Sequence, residues 1–341
     1  MNETHIITGG RYTGLDDISP SREGTIKPMN KRITTYQWPA LVGLVVCSFI
    51  IAMHGSADTV SVSNQEPAIQ FQGESLSPPC VQSLYGVCYS SINQGLDPIV
   101  NGTINETHVR DRLSVLGSGV RWIRTYSCGD YSEKIGEISH QMGIKVVAGA
   151  WIGKNLTKNE DQIQQLINLG RLGDADVLAV GNEALLRGDV TADQLKHYIR
   201  QVKTAVPNMT VTTVETLKNW RDNPELVDEI DAVYANIYPL YAGVRIDKEM
   251  KDLKQRYRVI QKVSKGKPVV ISETGFPSAG ETIGSAVPSK ENADRYFREV
   301  SNWSNSEDIP VLYFKLYDDE KEGKGIFYHN GTLKLSFCPS R

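Results

Sequence analysis

From residue 84 onward the chain alternates eight times between short apolar, β-branched runs and stretches with helical spacing. A strand buried on both faces reads as a nearly continuous apolar run, and parallel strands need a crossover that is usually a helix. The runs fall at 84–89, 121–126, 145–151, 176–182, 210–215, 232–236, 268–273 and 310–316. Between them lie helical stretches at 107–116, where Val109, Leu113 and Leu116 share one face, and at 131–142 and 158–169. A further helix is opened by Thr191 and Gln194, a capping-box pair, and ends before Pro207. Later ones follow at 224–230 (short), 245–264 and 289–304. This order predicts an α/β chain closed into a (β/α)8 TIM barrel over residues 80–341, with a doubly wound open sheet as the alternative.

The chain before residue 80 has a different character. Residues 1–36 are a polar tail carrying Arg11, Arg22, Lys27, Lys31 and Arg32. Residues 37–54 contain the charge-free run from Trp38 to Met53, long for a signal-peptide core and slightly short for a full span. Two readings follow. Either the run is a transmembrane signal anchor, or translation effectively begins at Met29 and the segment is removed at the small residues Gly55, Ser56 and Ala57. Both send the C-terminal bulk through the secretory pathway to the cell surface or outside, as a type II membrane protein or after cleavage near Ala57. Residues 55–79, with their Ser and Pro, predict a flexible stalk.

Two further features agree with export. Glycosylation sequons stand at Asn101, Asn105, Asn155, Asn208, Asn302 and Asn330, all downstream of the apolar run. Cys80, Cys88, Cys128 and Cys338 also follow it, an even number suited to an oxidising compartment. Four cysteines allow three pairings. A Cys80–Cys338 clip across the two ends of the barrel is attractive, but the sequence does not choose it.

A net charge of −3 leaves no basic surplus for phosphate contacts, so nucleic acid is not an expected partner. No phosphate-binding glycine loop follows a strand, and the six histidines are scattered, so no metal or organic cofactor is implied.

Two glutamates stand out against this background. Glu183 ends the run V-L-A-V-G-N-E and Glu273 ends P-V-V-I-S-E. Carboxylates are seldom buried for folding's sake. In a barrel the strand C-termini converge on one face, which puts these two, after strands four and seven, across one cleft. Two facing carboxylates are what glycosidic bond cleavage requires.

At these residues the chain resembles glycoside hydrolase family 17, the β-1,3-glucanase and glucanosyltransferase family. The matching segments are G-V-C-Y at 86–89, I-R-T-Y at 123–126, V-G-N-E at 180–183, V-T-T-V-E-T at 211–216, A-N-I-Y-P at 235–239, I-S-E-T-G-F-P-S at 271–278 and Y-F-K-L-Y-D-D-E at 313–320. Residues 1–80 lie outside the likeness. The resemblance implies retaining chemistry, with Glu183 as general acid/base and Glu273 as nucleophile, and carboxyls about 5–5.5 Å apart. It also implies that Tyr238 hydrogen-bonds the nucleophile and that Asn182 contacts a sugar 2-hydroxyl.

Tyr89 and Arg124 end strands one and two and are expected to line the floor of the site. Trp151, Trp220, Tyr241 and Phe276 end strands or begin loops, where flat rings suit sugar faces. Phe276 stands where the family usually carries Trp. Lys315 and Asp319 replace acidic residues of other members, and a Lys315 turned into the mouth of the barrel would favour the ionised form of Glu273. The expected activity is hydrolysis of β-1,3-glucan by a monomer. The alternatives are a glucanosyltransferase acting through the same intermediate and a non-catalytic carbohydrate-binding barrel.

Overall fold

The eight apolar runs become eight parallel strands. The computed structural model of the protein describes residues 80–90, 99–100, 103–129, 132–318 and 323–339. The strands are β1 (Leu84–Cys88), β2 (Val120–Arg124), β3 (Lys145–Ala150), β4 (Val177–Asn182), β5 (Thr210–Thr216), β6 (Val233–Asn236), β7 (Val269–Thr274) and β8 (Val311–Tyr313). Each pairs in parallel with the next, and β8 returns to β1, so the sheet closes into a barrel. The open-sheet alternative is thereby excluded.

Alternation along the strands divides the core in two. Val147, Ala179, Val214, Tyr234, Val270 and Leu312 pack together in one cluster, and the larger cluster joins strands to helices. Gly86 on β1 is needed because a Cβ there would come within 2.5 Å of Leu312.

The helices are α1 (Glu106–Ser114), α2 (Ser132–Gln141), α3 (Leu156–Leu172), α4 (Ala192–Ala205), α5 (Leu217–Asp222), α6 (Leu226–Glu229), α7 (Ile246–Val263) and α8 (Lys290–Ser306). The capping box at α4 forms as expected: Thr191 accepts from the Gln194 backbone while Gln194 accepts from the Thr191 backbone. α5 has no counterpart among the predicted helices, being too short for a periodic signature. It starts directly at the end of β5, where the Thr216 side chain caps it. β8 is shorter than its apolar run and ends at Tyr313. Beyond it the backbone turns to the chain that follows: Lys315 donates to the Lys324 carbonyl at 3.3 Å, and Ile326 donates to the Lys315 carbonyl at 2.9 Å.

Of the three cysteine pairings left open, the structure contains Cys80–Cys338, with Cα atoms 5.9 Å apart, while Cys88 and Cys128 are free and buried. Backbone bonds from Val81 to Ser336 and from Cys338 to Val81, both 2.8 Å, join the same two segments. The expected membrane segment, residues 37–54, and the stalk lie outside the described residues, as does Asp319. Among the described residues no helix is long and apolar enough to cross a membrane.

Candidate active site

The C-terminal ends of β4, β6 and β7 depart from regular pairing. The register shifts between Ala179 and Asn182 on β4, and between Ala235 and Asn236 on β6 where it faces β7. Such irregularities re-aim side chains at the rims of barrels. Here they fall beside Asn182, Asn236 and Glu273.

Glu183 follows Asn182 directly. Its backbone N–H still donates to Val214 on β5, at 2.8 Å, but its φ is 52°. The left-handed region costs a non-glycine residue on the order of 1 kcal/mol, and such residues cluster at functional sites. Gly181, two residues earlier, also has a positive φ, 83°. The G-N-E turn thus lifts the Glu183 side chain off the strand direction.

Glu273 lies on β7 and is buried. Arg124, reaching from the end of β2, donates from Nη1 to its Oε1 at 2.8 Å. The Tyr238 hydroxyl donates to its Oε2 at 2.9 Å. Burial first, and then the Glu273 charge, hold the Tyr238 hydroxyl well above its ordinary pKa, so it stays a proton donor. The next glycine, Gly275, lets β7 lie against the following strand: a Cβ there would come 2.2 Å from the Phe314 carbonyl oxygen.

Arg124 and two amides connect the two carboxylates. Asn182 Oδ1 accepts from Arg124 Nη2 at 2.8 Å and from Asn236 Nδ2 at 3.2 Å. Asn236 Nδ2 also donates to Glu183 Oε1 at 2.9 Å. Ser272 donates to Asn236 Oδ1 at 2.9 Å, which fixes the orientation of that amide. A continuous path therefore runs from Glu273 through Arg124, Asn182 and Asn236 to Glu183. On this path Glu273 meets a cation and Glu183 meets a neutral amide.

The remaining candidates divide. Trp151 is half-buried, with the Arg187 guanidinium 4.2 Å from its ring centroid. Arg187 also donates to the Ile152 carbonyl at 2.7 Å, to the Asn182 carbonyl and to Asp189, tying β3 to the turn after β4. Tyr241 is half-buried and accepts from Lys324 at 2.5 Å. Tyr89 is buried and donates its backbone N–H to the Arg124 carbonyl. Phe276 is fully buried against Tyr296, and Trp220 is fully buried with its indole N–H on the Tyr234 carbonyl. Neither ring offers a face to a ligand in this structure, because each fills the layer between barrel and helices. Lys315 is buried with its ammonium 5.1 Å from the Phe314 ring centroid; the cation that touches Glu273 is Arg124. Asn236, Ser272 and Arg187 were not singled out in the sequence, although A-N-I-Y-P contained the first, I-S-E-T-G-F-P-S the second and the L-L-R-G-D that follows V-G-N-E the third.

A parallel eight-stranded barrel with two networked carboxylates, one just after β4 and one at the end of β7, is the arrangement of a glycoside hydrolase. Residues 86–329 match the family model of the BtgE/BtgC glycoside hydrolase domain, and the chain belongs to that family, within glycoside hydrolase family 17. It is 27% identical over 239 residues to a probable beta-glucosidase btgE of Aspergillus clavatus, covering 65% of this chain and 42% of that protein. It is 26% identical over 232 residues to a glucan 1,3-beta-glucosidase of Arthroderma benhamiae, covering 63% of this chain and 74% of that one. The fold matches the glycoside hydrolase family 17 beta-1,3-glucanosyltransferase of Rhizomucor miehei with a TM-score of 0.67 and 26% identity, over 75% of this chain and 97% of that chain. An active-site mutant of the same enzyme, in complex with laminaritriose, matches with a TM-score of 0.66. The chain thus spans less than half the length of the btgE beta-glucosidases it matches.

Proposed function

We propose that the protein is a retaining glycosidase acting on β-1,3-glucan. Glu273 attacks the anomeric carbon and forms a glycosyl-enzyme. Glu183 protonates the departing oxygen, then takes a proton from the incoming water. The observation that carries this reading is the unequal support of the two carboxylates. A cation and a phenol stand on the oxygens of Glu273, which suits a nucleophile that must carry charge, whereas the amide on Glu183 accommodates either protonation state. Trp151, braced by Arg187, and the amide of Asn182 are the candidate sugar contacts.

A second reading is a glucanosyltransferase, in which a sugar hydroxyl replaces water at the glycosyl-enzyme. The likeness to the Rhizomucor miehei transferase over 97% of that chain favours it. Export to the cell surface or beyond is supported by the Cys80–Cys338 disulfide and by the exposure of Asn105, Asn155, Asn208, Asn302 and Asn330.

The test is incubation of the protein with laminarin and with β-1,3 oligosaccharides of defined length, followed by separation of the products by size. Shorter products alone mean a hydrolase; products longer than the input mean a transferase. Glu183→Ala should cost at least about 10²–10⁴-fold on such substrates, and Glu273→Ala nearly all turnover. If neither variant loses more than about tenfold, the roles assigned to the two glutamates are wrong.

A further inference from the structure

A third carboxylate lies behind the site. Glu215, on β5, is fully buried. Its Oε1 accepts the backbone N–H of Leu185 at 2.8 Å, and its Oε2 accepts from Asn219 Nδ2 at 2.6 Å. The Leu185 bond continues the β4–β5 ladder by other means. Glu183 N–H takes the Val214 carbonyl, and two residues later the Glu215 side chain takes the place of the next carbonyl. The turn that holds Glu183 at its left-handed φ is thus pinned on both sides of Ala184.

We propose that Glu215 is a positioning residue that acts through Glu183: its carboxylate pins the turn carrying the acid/base and sets a second negative charge behind it. This rests on the role given to Glu183 above. Burial first, opposed by the bonds from Asn219 and Leu185, and then the Glu183 charge, opposed by Arg187, leave the Glu215 pKa raised to about 7. Glu183 and Arg187 are the charged groups that act on it. β4 and β6 bring no charged side chain, and the Lys218–Asp222 pair on α5 is solvent-exposed. Coupling between two carboxyls is mutual, so an ionised Glu215 keeps the proton on Glu183 to higher pH.

The test is the pH profile of kcat/KM on a β-1,3-gluco-oligosaccharide and on an aryl laminaribioside whose leaving group needs no proton. Glu215→Gln keeps the reach and removes the charge. Its basic limb on the oligosaccharide should move to lower pH by about half a unit or more, and the aryl substrate should lose far less activity. Glu215→Asp keeps the charge and shortens the reach, so its activity should fall while the basic limb stays in place. A Glu215→Gln limb that superimposes on the wild type, or equal losses on both substrates with no movement of the limb, overturns the proposal. Should Glu215→Gln not fold, Asn219→Ala weakens the ionised form of Glu215 without touching it. The limb should move in the same direction, and an unmoved limb is equally fatal. Glu183→Ala, assayed alongside, separates the two levels. If it is active on the oligosaccharide, the acid/base assignment fails; if it is inactive while the limbs stay fixed, only the role of Glu215 fails.

Discussion

Arg124 and Glu273 meet at 2.8 Å with their side chains 1% and 8% exposed, so the barrel holds an ion pair almost wholly out of water at the C-terminal ends of its strands. A buried pair adds little net stability, but removing one partner leaves an uncompensated charge. Arg124→Ala is therefore expected to lower stability by about 3–5 kcal/mol, visible in thermal unfolding. Arg124→Lys should retain more stability and still lose activity, because one ammonium does not reproduce the fork that reaches Glu273 and Asn182 together.

Tyr238→Phe removes only the hydroxyl on Glu273 Oε2, leaving the ring in edge-on contact with Tyr241 and Phe314. A hydrogen bond to a charged group contributes about 1.5–3 kcal/mol, or roughly 10–150-fold in kcat/KM. Thermal unfolding should move to lower temperature as well, because the bond lies in the folded interior; an unchanged kcat/KM would remove Tyr238 from the site.

Glu249 on α7 gives a pH effect on stability remote from catalysis. It is fully buried, and among the described residues neither carboxylate oxygen has a hydrogen-bond partner. Burial first, then Asp252, push its pKa up to about 8 from an ordinary 4.5, against Arg256. A raised carboxyl pKa means that the folded state holds a proton which the unfolded state has lost. Stability therefore falls as pH rises from about 4.5, and the penalty levels off above about 8. Glu249→Gln should raise the melting temperature relative to the wild type at about pH 9 and make no difference near pH 4. Equal gains at both pH values would point to packing instead.

Cys338→Ser opens the clip between the two ends of the barrel. Loss of a native disulfide costs about 2–5 kcal/mol. The backbone bonds between Val81 and residues 336 and 338 stay in place. Activity at moderate temperature is therefore expected to persist, with the loss confined to the melting temperature.

The barrel was legible in the sequence because most strands are buried on both faces and read as nearly continuous apolar runs, from Val146 and Val147 on β3 to Val269 and Val270 on β7, although Arg121 interrupts β2 and threonines interrupt β5. Glu183 and Glu273 were legible because a charge at the end of such a run contradicts the run itself. What joins them was not. Arg124 bonds Glu273 and Asn182 from strands far apart in sequence, and only ring closure brings β2, β4 and β7 within one side-chain length. Periodicity also says nothing of which side an aromatic takes once its strand has ended. Phe276 and Trp220 therefore looked like platforms for a sugar, while the structure spends them on packing.

The Cys80–Cys338 bond makes the described barrel a covalent ring as well as a hydrogen-bonded one. A protease that cuts one surface turn between those residues opens the ring without dividing it. The nicked molecule would migrate as one band under non-reducing electrophoresis and part into two only when the disulfide is reduced.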